Sequence, residues 1–162
     1  MFPPDLLSLA EDVVARARAR GVMIATAESC TGGLVAAALT SVAGSSAVLE
    51  QGVVTYSNAA KTRLLDVPSA LLEAHGAVSR PVAESMAAGA RSRAGVDVAV
   101  SVTGIAGPGG GSADKPVGLV HFGLAGLEGV RHVERHFAEP DRQAIRMAAT
   151  RQALEMLLDA LS

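Results

Sequence analysis

The sequence predicts an α/β domain with a mixed sheet of about five strands, and three observations carry that prediction. Five short runs rich in Val, Ile and Ala read as strands. Stretches of helical periodicity separate the first three runs, which calls for parallel crossovers, right-handed by rule. The last two runs are separated only by the turn Gly126 to Gly129, so they form an antiparallel hairpin and make the sheet mixed.

The elements follow in order. Pro3-Pro4-Asp5 opens a helix in which Leu6, Leu9, Ala10, Val13, Val14 and Ala17 recur at helical spacing. Arg16, Arg18 and Arg20 crowd its end, where cations suit the helix dipole, and Gly21 stops it. The first strand is Val22 to Thr26. The second helix spans about Thr31 to Val42, and Gly44-Ser45-Ser46 closes that unit. Val48 to Tyr56 is the second strand, with Gly52 marking a bulge or a close approach of another backbone. Ser57-Asn58 caps a short helix, Ala59 to Leu65. Pro68 begins another helical piece that ends at Gly76. Ser79-Arg80-Pro81 starts a longer helix to about Ala94, with Val82, Met86, Ala87 and Ala90 as its apolar stripe. Asp97 to Val102 is the third strand, apolar enough to be buried on both faces. A glycine-rich loop, Thr103 to Lys115, precedes a fourth strand from Pro116 to about Leu124. The fifth is Val130 to Phe137, and Pro140-Asp141 starts the final helix.

Composition narrows the class. Of the 162 residues, 49% are hydrophobic, with no Trp, one Tyr and three Phe, so the core must come from close packing of small aliphatic groups. That suits helices laid on a sheet. No repeat or linker divides the chain, so residues 1–162 read as one domain. The net charge of −2, with scattered Lys and Arg, argues against direct nucleic-acid binding. A single Cys excludes an internal disulfide framework and fits a reducing compartment. Acids at Asp5, Glu11 and Asp12 do not fit a signal peptide, and no apolar run reaches the length of a membrane span. The expectation is a soluble cytoplasmic protein without a membrane partner.

The chemistry concentrates in Thr26-Ala27-Glu28-Ser29-Cys30-Thr31-Gly32-Gly33, read as strand end, tight turn and helix start. Backbone N–H groups at such a helix start face a Ser or Cys in the turn and can stabilise an oxyanion. Gly32 and Gly33 leave room for a substrate. The plainer alternative is that Ser29 or Thr31 is only a helix cap, with the glycines permitting tight packing. Glu28 can act as an acid, orient the turn or bind a ribose hydroxyl. Cys30 is either a thiol nucleophile or, better, a small core thiol.

With Asn58 as cap, Lys61 occupies the third helical position, where the dipole disfavours its charged form and lowers its pKa. A neutral Lys61 can take the proton of Ser29 as a hydrolase dyad, with Tyr56 placed to relay or donate. Taken alone, Lys61 fits a solvated surface lysine better. The loop Thr103-Gly104-Ile105-Ala106-Gly107-Pro108-Gly109-Gly110-Gly111 follows the third strand, where open α/β sheets collect ligands. Its N–H groups can form an anion nest. It is neither a Walker loop nor a dinucleotide fingerprint, since no Lys-Ser/Thr follows and a strand comes next. Arg142 and Arg146, one turn apart, can clamp a phosphate or be solvated. His132, Glu134 and His136 share one face of the fifth strand as a metal trio or, preferably, a polar edge. His75 and His121 have no evident partners.

Several of these stretches resemble the CinA C-terminal domain family: Ala27 to Gly33, Gly44-Ser45-Ser46, Gly52 to Lys61, Gly76-Ala77-Val78-Ser79, Val102 to Gly111, and Lys115-Pro116-Val117-Gly118. Asp141-Arg142 resembles the family's Asp-Arg before its last helix. The resemblance implies a three-layer α/β/α sandwich, commonly dimeric, and a nicotinamide-nucleotide amidohydrolase. Such enzymes convert nicotinamide mononucleotide to nicotinate mononucleotide and ammonia without metal or cofactor. It implies Ser29 as nucleophile, Lys61 as its base and Tyr56 nearby. Substrate contacts are then expected from Glu28, Thr31, Gly32, Gly33, Thr103, Gly104, Gly107, Gly109 and Arg142. The chain resembles the stand-alone form rather than longer members with a molybdopterin-binding-like domain. The competing expectation is a non-catalytic nucleotide-binding or interaction module linked to competence or DNA damage.

Overall fold

The computed structural model describes residues 1–162. The elements are α1 (Pro4–Arg20), β1 (Ile24–Glu28), α2 (Leu34–Thr40), β2 (Leu49–Val54), α3 (Asn58–Leu65), α4 (Ser69–His75), α5 (Arg80–Ala94), β3 (Val98–Gly104), β4 (Leu119–Gly126), β5 (Gly129–His136) and α6 (Arg142–Ala160). The strands form one sheet in the order β2-β1-β3-β4-β5. β1 runs parallel to both its neighbours, whereas β3–β4 and β4–β5 are antiparallel. The sheet is therefore mixed, as the hairpin predicts, and β4 lies antiparallel to β3 as well as to β5.

Alternation along the strands separates two cores, giving the three-layer α/β/α fold. Ile24, Val98, Val100, Val102, Val120, Phe122 and Leu124 face α1, α2 and α6 in a cluster of 26 buried residues. The opposite face presents small groups, among them Ala25, Ala27 and Ala99, to α3, α4 and α5 in a cluster of 10. Small residues let α5 approach closely. Ser101 Oγ, fully buried, donates to Ala83 O at 2.6 Å and accepts from Gly123 N at 3.1 Å. At about 1.5–3 kcal/mol per buried Val or Leu side chain, the α1/α2/α6 face carries most of the hydrophobic stabilisation.

Several boundaries shift from expectation. β1 continues to Glu28, so Glu28 is a strand residue and not part of the turn. α2 starts at Leu34 instead of Thr31, because Gly33 takes a left-handed φ of 100° at its cap. β3 extends through Gly104, and β4 begins at Leu119 rather than Pro116. Gly52 departs from both expectations. The pairing of β2 skips a residue between Leu49 and Gln51, so the bulge lies at Glu50. Gly52 itself is crowded by side chains rather than by another backbone: a Cβ there would lie 2.8 Å from both Ala36 Cβ and Thr26 Oγ1. No helix is long and apolar enough to cross a membrane.

Candidate active site

Adjacent parallel strands deliver β1 and β3 to the same rim, and Ser29 and the glycine-rich loop leave from it. Ser29 N donates to Val102 O at 2.9 Å, which extends the pairing one residue past β1 and fixes the start of the turn. Ser29 is buried, and its neighbours include Lys61, which reaches it from α3. Ser57, not Asn58, caps that helix: its side chain accepts from Ala60 N. Lys61 therefore sits at the fourth helical position and turns inward. It is 1% exposed, which overturns the solvated reading. Its Nζ donates to Thr55 O at 2.8 Å and to Ser29 Oγ at 3.2 Å. The Lys61 pKa is lowered, as expected, but by burial rather than by a first-turn dipole.

Cys30 is a buried thiol whose pKa is pushed up to about 12, first by burial and further by the Glu28 carboxylate. That favours the core-thiol reading, since a nucleophilic Cys needs the opposite shift. Glu28 is fully buried. Its Oε2 accepts from Gly33 N and Val35 N at 3.1 and 3.0 Å, and its Oε1 from Ala36 N at 2.9 Å. Those bonds occupy the carboxylate with the amino end of α2, so Glu28 orients the turn and is withdrawn from substrate contact. Thr31 is fully buried as well, and Gly32 and Gly33 form the left-handed bend into α2. These four residues support the turn from behind and do not line the cavity beside Ser29.

That cavity, of about 260 Å³, gathers Ser29, Tyr56, Lys61, Thr103, Gly107 and Arg142. Gly104 and Gly109 also line it. Thr103 Oγ1 donates to Ala77 O at 2.9 Å and holds the segment before α5 against β3. Arg142 is engaged rather than solvated: Nη1 donates to Gly107 O at 2.7 Å and Nη2 to Tyr56 Oη at 2.9 Å. It ties α6, the loop and the only tyrosine together. Lys115 closes the loop's far end by donating from Nζ to His75 O at 2.5 Å. Within the loop the N–H groups of Ala106, Gly107, Gly109 and Gly110 have no backbone acceptor. Beside Ser29, those of Cys30 and Thr31 are equally unpaired. The second arginine, Arg146, does not join the cavity. It donates from Nε to Cys30 O and from Nη2 to Thr31 O, each at 3.0 Å.

Two other places compare poorly with this one. A larger concavity, about 610 Å³, opens at the other end of the sheet. Its cations are consumed internally: Arg20 by the carbonyls of Leu161 and Ser162, Arg131 by Asp159 at 2.9 Å. On β5, His132, Glu134 and His136 do share a face, but His132 Nε2 pairs with His121 Nδ1 at 2.9 Å while His136 pairs with Glu134 at 2.8 Å. No group of three is arranged to hold a metal ion. The sequence alone does not reveal the His121–His132 pair, which depends on the β4–β5 register.

Fold and site together define a class: a three-layer α/β/α domain with a buried serine–lysine pair at the carboxyl rim of its parallel strands. The chain belongs to the CinA family, whose C-terminal domain model matches residues 6–161. It is 56% identical over 158 residues to a CinA-like protein of Anaeromyxobacter dehalogenans, covering 98% of this chain and 37% of that one. It thus spans under two fifths of the length of such relatives. It is also 50% identical over 158 residues to the nicotinamide-nucleotide amidohydrolase PncC of Enterobacter agglomerans, covering 98% of this chain and 96% of that one. The crystal structure of the competence/damage inducible protein CihA from Agrobacterium tumefaciens superposes with a TM-score of 0.95 at 52% identity, covering 99% of this chain and 98% of that one.

Proposed function

We propose that this protein hydrolyses the carboxamide of nicotinamide mononucleotide, with Ser29 as nucleophile and Lys61 as its base. The observation that carries the reading is the buried Lys61 Nζ, 3.2 Å from Ser29 Oγ. Burial favours the neutral amine, which a lysine needs in order to accept a proton. The 50% identity to a nicotinamide-nucleotide amidohydrolase over nearly the full length of both chains supports the substrate.

In this reading neutral Lys61 takes the Ser29 hydroxyl proton as Oγ bonds to the carboxamide carbon. The tetrahedral oxyanion accepts from the unpaired Cys30 N–H beside Ser29. Lys61 then returns the proton to the amide nitrogen, the C–N bond breaks and ammonia leaves. Water, deprotonated by Lys61, attacks the ester so formed, and the proton passes to Ser29 as the nicotinate product is released. The unpaired loop N–H groups of Ala106, Gly107, Gly109 and Gly110 receive the 5′-phosphate. Arg142 holds Tyr56 toward the same cavity, where its hydroxyl is free to donate to the nucleotide.

The test is ammonia release from nicotinamide mononucleotide by the wild type and by Ser29→Ala. The expected loss in Ser29→Ala is about 10³-fold or more in kcat. Full activity in that variant would sink Ser29 as nucleophile. Tight binding of the mononucleotide with no turnover by the wild type would favour the non-catalytic module instead.

A further inference from the structure

From sequence Arg146 is a phosphate clamp or a solvated cation; its place in the fold gives it a different role. We infer that Arg146 is a positioning residue that locks the turn after Ser29 through two successive peptides, and so holds the Ser29 hydroxyl and the Cys30 N–H in place at the cavity. The inference rests on the amidase reading of the Ser29 site.

The turn supplies the argument. Gly32 N donates to Ser29 O at 3.0 Å, closing a β-turn over Ser29, Cys30, Thr31 and Gly32. Type I and type II turns differ mainly by a flip of the middle peptide, here the one joining Cys30 to Thr31. A type II turn needs a positive φ at Thr31, and Thr31 has none. The middle carbonyl, Cys30 O, is the one that Arg146 Nε grips at 3.0 Å. In a planar trans peptide the C=O and the N–H point in opposite directions. Fixing Cys30 O toward α6 therefore fixes the Thr31 N–H on the side away from α6. The second tooth of the fork, Nη2 to Thr31 O at 3.0 Å, fixes the next peptide, whose N–H closes the turn. One rigid planar guanidinium thus sets two successive peptides, which a lysine ammonium cannot match in geometry.

Of the turn's N–H groups, those of Cys30 and Thr31 have no acceptor within the protein, and of these two residues only Cys30 lines the cavity. An unpaired donor held in one direction costs nothing to reorganise when charge develops on a bound substrate. Glu28 completes the frame from the other side, since it binds Gly33 N, Val35 N and Ala36 N and anchors the exit of the turn. Arg146 comes from the last helix and Glu28 from the first strand, and the turn is clamped between them.

The experiment measures kcat and KM for ammonia release from nicotinamide mononucleotide in the wild type, Arg146→Gln, Arg146→Lys and Arg146→Ala. The Arg146→Ala protein is also assayed with added millimolar guanidinium. Arg151→Ala, which removes only the surface pair with Asp5, is the control and keeps wild-type rates. The expected result is a fall in kcat of about 10- to 100-fold in Arg146→Gln with KM changed less than about threefold. Arg146→Lys should recover part of the rate, and guanidinium should raise kcat of Arg146→Ala. Destabilisation alone would lower the active fraction of every variant and would not respond to guanidinium. If Arg146→Gln does not fold, the split between Arg146→Lys and wild type decides. An unchanged kcat with a raised KM would overturn the inference and restore the phosphate clamp, while leaving the amidase reading intact. A wild type that releases no ammonia would remove the amidase reading, and the inference with it.

Discussion

Two clusters of ionisable side chains lie at different margins of the same sheet, and their surroundings are opposite. At the rim of β1 and β3, Lys61 and Ser29 are buried, and the groups around them arrive from β1, α3 and α6. At the outer edge, His121, His132, Glu134 and His136 come from directly facing positions of two adjacent strands: His121 opposes Glu134, Gly123 opposes His132 and Leu119 opposes His136. The edge cluster is a product of strand register and needs nothing else. Glu134 and His136 keep side-chain exposures of 47% and 59%, so water competes for that pair, and of the four only His121 is buried. The rim requires tertiary convergence, excludes water from Lys61 and leaves backbone donors unpaired. Proximity of titratable groups is common to both. What sets the rim apart is the combination of burial, free donors and a cavity.

The comparison breaks most readily at Lys61. Lys61→Met should reduce kcat for ammonia release by about 10²- to 10⁴-fold, the range for loss of a general base. A steady-state assay at fixed pH checks it, and retention of activity would place the base elsewhere.

pH sharpens the contrast. Since the Lys61 pKa is lowered, wild-type kcat/KM should rise with pH through an inflection below the usual lysine value of 10.5, then level off. The stability sign follows from the same shift. Between the lowered folded value and 10.5, the unfolded chain binds more protons at this position than the folded one, so stability rises with pH across that window. Lys61→Met lacks the effect. Urea unfolding of both proteins at neutral and alkaline pH should show the wild type gaining on the variant as pH rises.

The smallest effect belongs to the edge. His132→Gln should leave kcat/KM within about twofold, because it touches no group of the rim. Burial lowers the pKa of His121 and of His132. Glu134, Lys115 and His136 also bear on His121, while Arg80, Glu84 and Glu134 bear on His132. Both imidazoles are thus favoured neutral, and their 2.9 Å bond needs one nitrogen to accept. Stability from this pair is present above the usual histidine value of 6.5 and is lost as pH falls toward the lowered folded values. His132→Gln should therefore flatten the acid limb of the stability curve, measured by urea unfolding from pH 7 to pH 5. A large loss of activity at neutral pH would show that the two margins are coupled.

The strand and helix order was legible because each element has its own period and its own stop signal, as with Gly21 after α1 and Asp141 before α6. The rim was legible in its residue types, through the Ser29 turn, the Lys61 segment and the glycine-rich loop. Three things were not. The inward turn of Lys61 follows from the face of α3 that packs inward, where Lys61 and Leu65, one turn apart, are both buried, and a lysine on that face breaks the apolar pattern by which such a face is read. The support role of Glu28 depends on where β1 ends, and boundaries are the least determined part of any pattern reading. The grips of Arg142 and Arg146 join positions more than 30 and more than 110 residues apart in the chain, which no local spacing encodes.

The unequal cores described above have a consequence for how the rim can fail. Ser29 is fastened to β1, between neighbouring strands, whereas Lys61 rides on the layer held by the smaller cluster of 10 buried residues. Proteins open in cooperative parts, and the part with fewer apolar contacts opens first. A brief detachment of the α3–α5 layer would carry the base away from the nucleophile while the 26-residue core and its strands stayed assembled. The pair is therefore intact only while both layers are docked. Its integrity reports on the weaker seam of the molecule, not on the molecule as a whole.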